Sequence, residues 1–598
     1  METLHHNGVL VPAPYEAKGL TVNIKGKDVQ LTAEQEEMAV AWAKKVGTPY
    51  VEDKVFARNF HKDFSEKLGI TVKPGDVDFS DIVALVEEER EYKKNLPREE
   101  KKRLAAERKA AREANKEKYG YAYVDGERME LGNYVAEPSS IFMGRGQHPM
   151  RGSWKQGPTK EDIILNLSPD APRPEGNWKE IVWEPEAIWV ARWQDKLSDK
   201  MKYVWFSDSC SFKQKKEIEK FDKAAEFRQK LPQVKRHILK NLEAEDLKRR
   251  KTATVCYLID KLKIRVGDEK DPDEADTVGA STLRKEHITI NGDGTVSFNF
   301  LGKDSVPHIF TTKLPDNVIA NLEEFSKNTD SSLFDGVGST QVSEFLDEVM
   351  TGLSAKVFRT LYASDAVKGK LDKTPVEPEE PEYVKRYVAT MANLEAAKVC
   401  NHKRTISKTW KSSLEKKQDR LKVLNKRAKD SQNKIRQKIN EWSKKHEERM
   451  AKQEEKLKAA EAKLEELKLL SETKKSESKD VNVLNRQLKR QRELVAHQRQ
   501  RIKDMKVKQA ERIEKFMESL EKRKHRDESA VEKMKLKITV QKETRDYNIS
   551  TSLKSYVDPR IYYEWGKQVA YDWKQYYPKS LHSKFSWLDC QNGKTENS

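Results

Sequence analysis

The chain has 598 residues, 36% hydrophobic and 36% charged, with a formal net charge of +18. One core rarely grows past ~250–300 residues, so this length excludes a single globule; the composition is too polar for one compact body and too apolar for a disordered chain. No run of ~18 apolar residues occurs, so no membrane span is expected. The four cysteines, Cys210, Cys256, Cys400 and Cys590, are too scattered for a disulfide framework or a zinc site and fit a reducing compartment.

The opening METLHHNGVLVPAPYEAKG lacks the basic start and apolar centre of a secretory signal. Residues 1–85 alternate short apolar runs with turn signals and predict small strands and helices. From about 86 to 118 the chain is a charged helix pair, punctuated by Pro97 and closed by Gly120. Residues 120–208 return to Trp-rich sequence, in which WKEIVWEPEAIWVARWQ alternates like strands with one buried face. Residues 209–265 read as helical. Ile288 and Ile290, the turn Asn291-Gly292-Asp293-Gly294 and the run Val296 to Phe300 predict a hairpin, and residues 315–400 are mainly helical.

Residues 411–540 contain neither Gly nor Pro, and hold 40 Lys and Arg against 23 Asp and Glu, so +17 of the net charge lies there. Leu414, Leu421, Ala428, Ile435 and Trp442 recur at seven-residue steps, with Leu424 offset between them; Ile513, Phe516 and Leu520 repeat the pattern. The stretch SETKKSESKD, 471–480, lacks apolar residues and is the expected tip of an antiparallel coiled-coil hairpin with arms of about 60 residues, each ~90 Å long. A single rod that dimerises is the alternative. A hairpin would bring the chain near residue 556 back beside residue 402. The basic excess favours a polyanion, nucleic acid first, although a solvated helical face would carry the same charge.

No G-x-x-x-x-G-K-[ST] loop or H-E-x-x-H pattern occurs, and LGKDS at 301–305 lacks the first glycine of a phosphate-binding loop. Chemistry driven by ATP or a metal is therefore not expected. What stands out instead is basic residues in semi-apolar settings: Arg265 in LKIRVGDEKD, Lys303 in FLGKDS, Arg359 in AKVFRT and His402 in CNHKR. Beyond the basic hairpin a lone tyrosine, Tyr556, sits in SLKSYVDPR.

These segments, with LVPAPYE (10–16), RNFHKDF (58–64), GRGQHP (144–149), KEDIILNLS (160–168), GNWKE (176–180) and ADTVGASTLRKEHI, fall in the order of one family. Over nearly its full length the chain resembles eukaryotic-type DNA topoisomerase IB. The resemblance implies a mainly α fold with an α+β cap, arranged as a bilobed clamp around duplex DNA. It places two cap subdomains at 1–208, a helical, tyrosine-recombinase-like catalytic core at 209–407, a coiled-coil linker at 408–545 and a C-terminal domain at 546–598. It makes Tyr556 the nucleophile, Arg265, Arg359 and His402 the groups that stabilise the phosphate, and Lys303 the general acid. Arg145, Lys155, Lys356, Thr360 and Asn401 would lie against DNA, as would Asp268 and Ser555 beside the break. It further implies a monomer that relaxes supercoils of both signs through a 3′-phosphotyrosine, with no ATP and no obligatory metal.

The chemistry is consistent with those residue types. A tyrosine hydroxyl titrates near 10 and needs help to attack a phosphodiester. Fixed guanidinium and imidazole donors offset the charge that builds on the nonbridging oxygens, and a lysine can protonate the leaving 5′ oxygen. Two other readings remain at this stage. A tyrosine recombinase uses a similar residue set, and a DNA-organising coiled coil would need only the basic hairpin. Three departures from the family pattern also matter. A basic N-terminal extension is missing, which favours an archaeal or organellar-like source, archaeal first, and a place in the cytoplasm or on the nucleoid, or in the nucleus if the source is eukaryotic. The linker is long. Asp268 and Ser555 stand where the human-type enzyme has asparagine, so reduced sensitivity to camptothecin-type poisons is expected.

Overall fold

The computed structural model describes residues 1–268, 276–327, 329, 332–473 and 478–592. These form two compact units. Met1–Glu379, Met391–Arg404 and Tyr547–Ser598 make one; Glu380–Thr390 with Thr405–Asp546 make the other.

The larger unit begins with two separate cores. In the first, helices α1 (Ala33–Ala43) and α2 (Lys54–Leu68) pack aromatic faces together, with the Trp42 and Phe60 rings stacked at 4.4 Å. The helix pair expected from 86 to 118 is α3 (Ser80–Asn95) and α4 (Arg98–Tyr119). It starts earlier than expected but breaks at Pro97, whose ring and missing N–H cannot continue a helix. The second core is built on a four-stranded sheet, β1 (Ile163–Asn166), β2 (Glu180–Val182), β3 (Trp189–Gln194) and β4 (Met201–Trp205), in the order β2-β1-β3-β4. Its β3 buries Trp189, Ala191 and Trp193, as the alternation in WKEIVWEPEAIWVARWQ predicts, but Val190 between them is buried as well, so the strand is covered on both faces there.

A third and larger core is mainly helical. It joins α5 (Ser211–Asn241), α6 (Leu247–Leu262), α7 (Asp316–Lys327), α8 (Ser339–Asp347) and α9 (Ala355–Asp372). The predicted hairpin is present as β5 (Ile288–Ile290) and β6 (Thr295–Gly302). A third strand that the sequence did not suggest, β7 (Val306–Lys313), pairs antiparallel with β6. Because β7 lies at the sheet edge, Pro307 can sit in it without leaving a ladder acceptor unfilled. The chain then runs through α10 (Glu382–Val399).

The smaller unit is dominated by two antiparallel helices, α11 (Trp410–Thr473) and α12 (Ser478–Glu543). At 64 and 66 residues each is ~95 Å long. The register is read from cross-arm contacts whose numbers fall in one arm as they rise in the other: Gln541 Nε2 donates to the Trp410 carbonyl, Trp442 packs on Phe516 at 4.8 Å, and Gln491 donates to the Ala460 carbonyl. The heptad residues Leu414, Leu421, Leu424, Ala428 and Ile435 are half-buried along this seam. The expected tip is shortened, since helix continues through Thr473 and resumes at Ser478; Glu, Lys and Ser without apolar partners do not by themselves end a helix. Residues 474–477 of that tip and the side chain of Cys590 lie outside the described residues. No described helix is long and apolar enough to cross a membrane.

Within the larger unit the chain re-enters beside the point it left. Lys403 bridges to Tyr547, and the Asn548 N–H donates to the His402 carbonyl at 2.6 Å. The neighbourhood expected for residues 402 and 556 is therefore present. Two short helices follow, α13 (Ile549–Ser555) and α14 (Pro559–Gln568).

Candidate functional site

Tyr556 closes α13 and is only 2% exposed. Its backbone is fixed from several sides. The Tyr556 N–H donates to the Ser552 carbonyl at 2.9 Å, while the Ser364 hydroxyl on α9 donates to the Tyr556 carbonyl and accepts from the Asp558 N–H. Asp558 caps α14 and is gripped by Arg560, which also reaches Asp222 on α5. Pro559 occupies the first position of α14, where its fixed φ suits a helix start. The Asp-Pro pair thus makes the corner on which the tyrosine stands.

Around the phenol ring stand three of the four basic residues singled out in the sequence. The Arg359 guanidinium lies 4.9 Å from the ring centroid and that of Arg265 lies 6.0 Å away; the His402 ring is 5.2 Å distant. Arg359, 4% exposed, comes from the buried face of α9. Its Nη2 donates to the Cys400 carbonyl at 2.9 Å and to His402 Nε2 at 3.0 Å, while its Nε is buried with no acceptor. His402 follows Asn401, whose left-handed backbone (φ 49°) ends α10 and turns the imidazole inward. The Asn401 side chain donates to the Pro307 carbonyl on β7. Arg265 is exposed and follows α6.

Lys303 is not part of this cluster. It stands exposed on the turn Lys303–Ser305 between β6 and β7 and makes no hydrogen bond or ion pair among the described residues. The turn meets the GRGQHP loop, because a Cβ on Gly146 would collide with Ser305. Arg145 is exposed on that loop.

The remaining sequence candidates are placed unevenly. Lys356 is exposed one turn before Arg359. Thr360 is buried and its hydroxyl donates to the Lys356 carbonyl, so it is spent within α9 rather than offered to a phosphate. Lys155 is ion-paired with Asp195 at 2.7 Å and with Glu137, so most of its charge is already balanced. Asp268 accepts from the Ser339 N–H and sits at the positive end of α8. Ser555 is half-buried, and its carbonyl accepts from Lys220 Nζ at 3.4 Å.

Residues 1–206 match the family described as eukaryotic DNA topoisomerase I, DNA binding fragment; residues 209–435 match its catalytic core; residues 528–593 match the C-terminal topoisomerase domain. Among curated proteins the chain is similar to DNA topoisomerase 1 beta of Arabidopsis thaliana, 32% identical over 598 residues, which covers 98% of this chain and 58% of that protein. It is 30% identical over 618 residues to DNA topoisomerase 1 of Schizosaccharomyces pombe, covering 98% of this chain and 75% of the relative. With DNA topoisomerase 1 of Homo sapiens it shares 29% identity over 605 residues, covering 98% and 70%. The chain belongs to the eukaryotic DNA topoisomerase I family. It spans 58% of the length of the two Arabidopsis topoisomerases it matches. The archaeal origin expected from the missing basic extension is not supported, since these topoisomerase relatives come from plants, yeasts and animals; where this sequence starts carries no information on its source.

Several residues that shape this cluster escaped the sequence reading. Ser364 and Lys220 reach Tyr556 and its neighbour from 192 and 335 positions away, and no local pattern marks them. His308 on β7 is buried flat against Phe300 at 4.8 Å, beside Gly302, with an unpartnered Nδ1. Ser552 alone carried a signal, lying one helical turn before Tyr556.

Burial, then Arg359 and Arg265, pulls the His402 pKa down to about 3; burial and the charges of Arg359, Lys403 and Arg265 take His308 to about 4, and burial takes His6 to about 4. All three are neutral at pH 7 and protonate more readily once unfolded, near 6.5. The stability they contribute is therefore complete above pH 6.5 and is lost as pH falls towards 4, by up to ~1.4 kcal/mol per pH unit for each imidazole. Thermal unfolding followed from pH 7 to 4.5 is expected to show a falling Tm. The fall should be shallower in a His6→Gln variant, since one of the three imidazoles is then gone.

Proposed function

We propose that this chain is a type IB DNA topoisomerase, an isomerase that cuts one strand of duplex DNA through a 3′-phosphotyrosine, lets the free end rotate and reseals it. The observation that carries this reading is a buried tyrosine enclosed by two guanidinium groups and an imidazole, with one buried guanidinium nitrogen lacking an acceptor. Tyr556 Oη loses its proton to solvent water and attacks phosphorus while the bond to the 5′ oxygen breaks. Arg265, Arg359 and His402 hold the nonbridging oxygens, and Lys303 gives its proton to the leaving oxygen. Resealing is the reverse, with the bond energy kept in the phosphotyrosine, so neither ATP nor a metal is required.

The domain limits of the sequence reading belong to this proposal: cap 1–208, catalytic core 209–407, linker 408–545 and C-terminal domain 546–598. So do DNA contacts by Arg145, Lys155, Lys356, Thr360, Asn401, Asp268 and Ser555, action as a monomer and a nuclear, chromosome-bound location. Lys155 and Thr360 contribute least to binding in this reading, because their polar groups are already engaged. The test is relaxation of positively and negatively supercoiled plasmid in EDTA without ATP. Full relaxation with no recombinant product is expected. Failure under those conditions, or recombinant circles, would reject the proposal.

Two further results follow from it. Shortening both arms of α11 and α12 by matched heptads should leave single-turnover cleavage unchanged and alter relaxation rate or processivity. Unchanged processivity and salt dependence would dismiss the linker as a DNA-tracking element. Camptothecin should stabilise the cleaved complex weakly, because Asp268 brings an extra negative charge and Ser555 a shorter side chain to the break. Asp268→Asn with Ser555→Asn should raise trapping of nicked plasmid at a fixed drug concentration. Equal trapping by both proteins would show that these two positions do not govern the drug.

A further inference from the structure

The hydrogen bonds of His402 are mismatched to the role just given it. Arg359 Nη2 lies 3.0 Å from His402 Nε2, and a guanidinium offers only N–H donors, so Nε2 accepts. The neutral ring therefore carries its proton on Nδ1, which faces Ser552 Oγ at 2.7 Å. Ser552 is fully buried, and its hydroxyl makes no other hydrogen bond among the described residues. In the DNA-free site this serine accepts from Nδ1–H while its own O–H has no acceptor, which is costly at a buried position.

A nonbridging phosphate oxygen is an acceptor only. Entering beside Arg359, it would meet the Nε2 lone pair rather than a proton. A second proton on the ring would remove the conflict, but burial and two neighbouring guanidinium groups oppose an imidazolium. Moving the one proton from Nδ1 to Nε2, by exchange with solvent, removes the conflict with no change in charge. A hydroxyl is the side chain that suits both states, accepting from Nδ1–H in the first and donating to bare Nδ1 in the second. In the second state Nε2–H and the Arg359 N–H it displaces both turn to the phosphate, and Ser552 O–H fills the bare Nδ1.

We propose that Ser552 is a positioning residue that lets His402 exchange tautomer when DNA binds, so that a neutral imidazole presents Nε2–H to the scissile phosphate. The serine also ties this event to the nucleophile, because its carbonyl accepts the N–H groups of Tyr556 and Val557 at 2.9 and 3.0 Å. The inference rests on the cleavage chemistry proposed above and adds to it the group that sets the proton.

The direct test is nitrogen-15 NMR of histidine-labelled Tyr556→Phe protein, with His402 assigned by its loss in His402→Gln. The Nδ1–H tautomer is expected without DNA and the Nε2–H tautomer with a saturating duplex. The same tautomer in both samples, or a doubly protonated ring with DNA, would overturn the proposal. A kinetic test is independent of it. Ser552→Ala should slow single-turnover cleavage by about tenfold or more with duplex affinity held within about twofold. Ser552→Thr, which keeps the hydroxyl, should stay within about threefold of wild type, and Ser552→Ala should add less than about twofold to His402→Gln. Wild-type rate in Ser552→Ala, or full additivity with His402→Gln, would assign the serine a structural role. If Ser552→Ala does not fold, the tautomer comparison still decides. Failure of the underlying reading is a separate result, the absence of Tyr556-dependent covalent DNA in the wild-type protein.

Discussion

Replacing Tyr556 with Phe is expected to abolish covalent capture of DNA while leaving duplex binding within about twofold. The loss should be at least ~10³-fold in strand cleavage, the scale on which removal of a covalent nucleophile is felt. The fold should not suffer. Phe keeps the ring that packs against His402 and under the two guanidinium groups, and the tyrosine hydroxyl makes no hydrogen bond among the described residues. The backbone clamp of Ser364 and Ser552 does not involve the side chain. Denaturant trapping of an end-labelled duplex, read beside a gel-shift titration, separates the two effects. A covalent adduct that survives in Tyr556→Phe would move the nucleophile elsewhere, and a protein that only organises DNA would behave identically in both forms.

How far the site could be read in advance depended on distance along the chain. The coiled coil was legible because a heptad repeat without Gly or Pro is a local pattern, and Pro97 marked its helix break alone. The hairpin of β5 and β6 announced itself through Asn291-Gly292-Asp293-Gly294. Strand β7 did not, because Pro307 and His308 weaken its strand pattern and only an edge position makes them acceptable. Arg359, His402 and Tyr556 were singled out as residues, but their meeting depends on contacts 43 to 197 positions apart. The isolation of Lys303, the pairing of Lys155 with Asp195 and the burial of Thr360 are tertiary facts with no sequence signature. Ser552 was not singled out in the sequence, and its link to His402 needed the fold.

Arg359 is the position where charge and geometry can be pulled apart. Lysine at 359 preserves the charge but gathers its three N–H donors on one nitrogen in place of a planar fork. In the wild-type protein a single nitrogen, Nη2, serves both the Cys400 carbonyl and His402, leaving Nε buried and free for a ligand oxygen. A single ammonium nitrogen cannot reach that carbonyl and also stand where Nε would meet the phosphate. Arg359→Lys should therefore cut single-turnover cleavage by ~10²–10³-fold, as loss of a preorganised donor does. DNA affinity should change by less than about threefold, because many backbone contacts share the binding. Arg359→Ala should cost more, since the Cys400 carbonyl and His402 Nε2 are then both left without a donor, and its thermal unfolding should fall below that of Arg359→Lys. Arg265, exposed and 6.0 Å from the ring, provides the contrast: Arg265→Ala should slow cleavage with little change in Tm, because its side chain serves no buried hydrogen-bond partner among the described residues. If Arg359→Lys cleaved at the wild-type rate, the unfilled Nε would not be waiting for substrate, and the phosphate would have to enter on the Arg265 side of the ring.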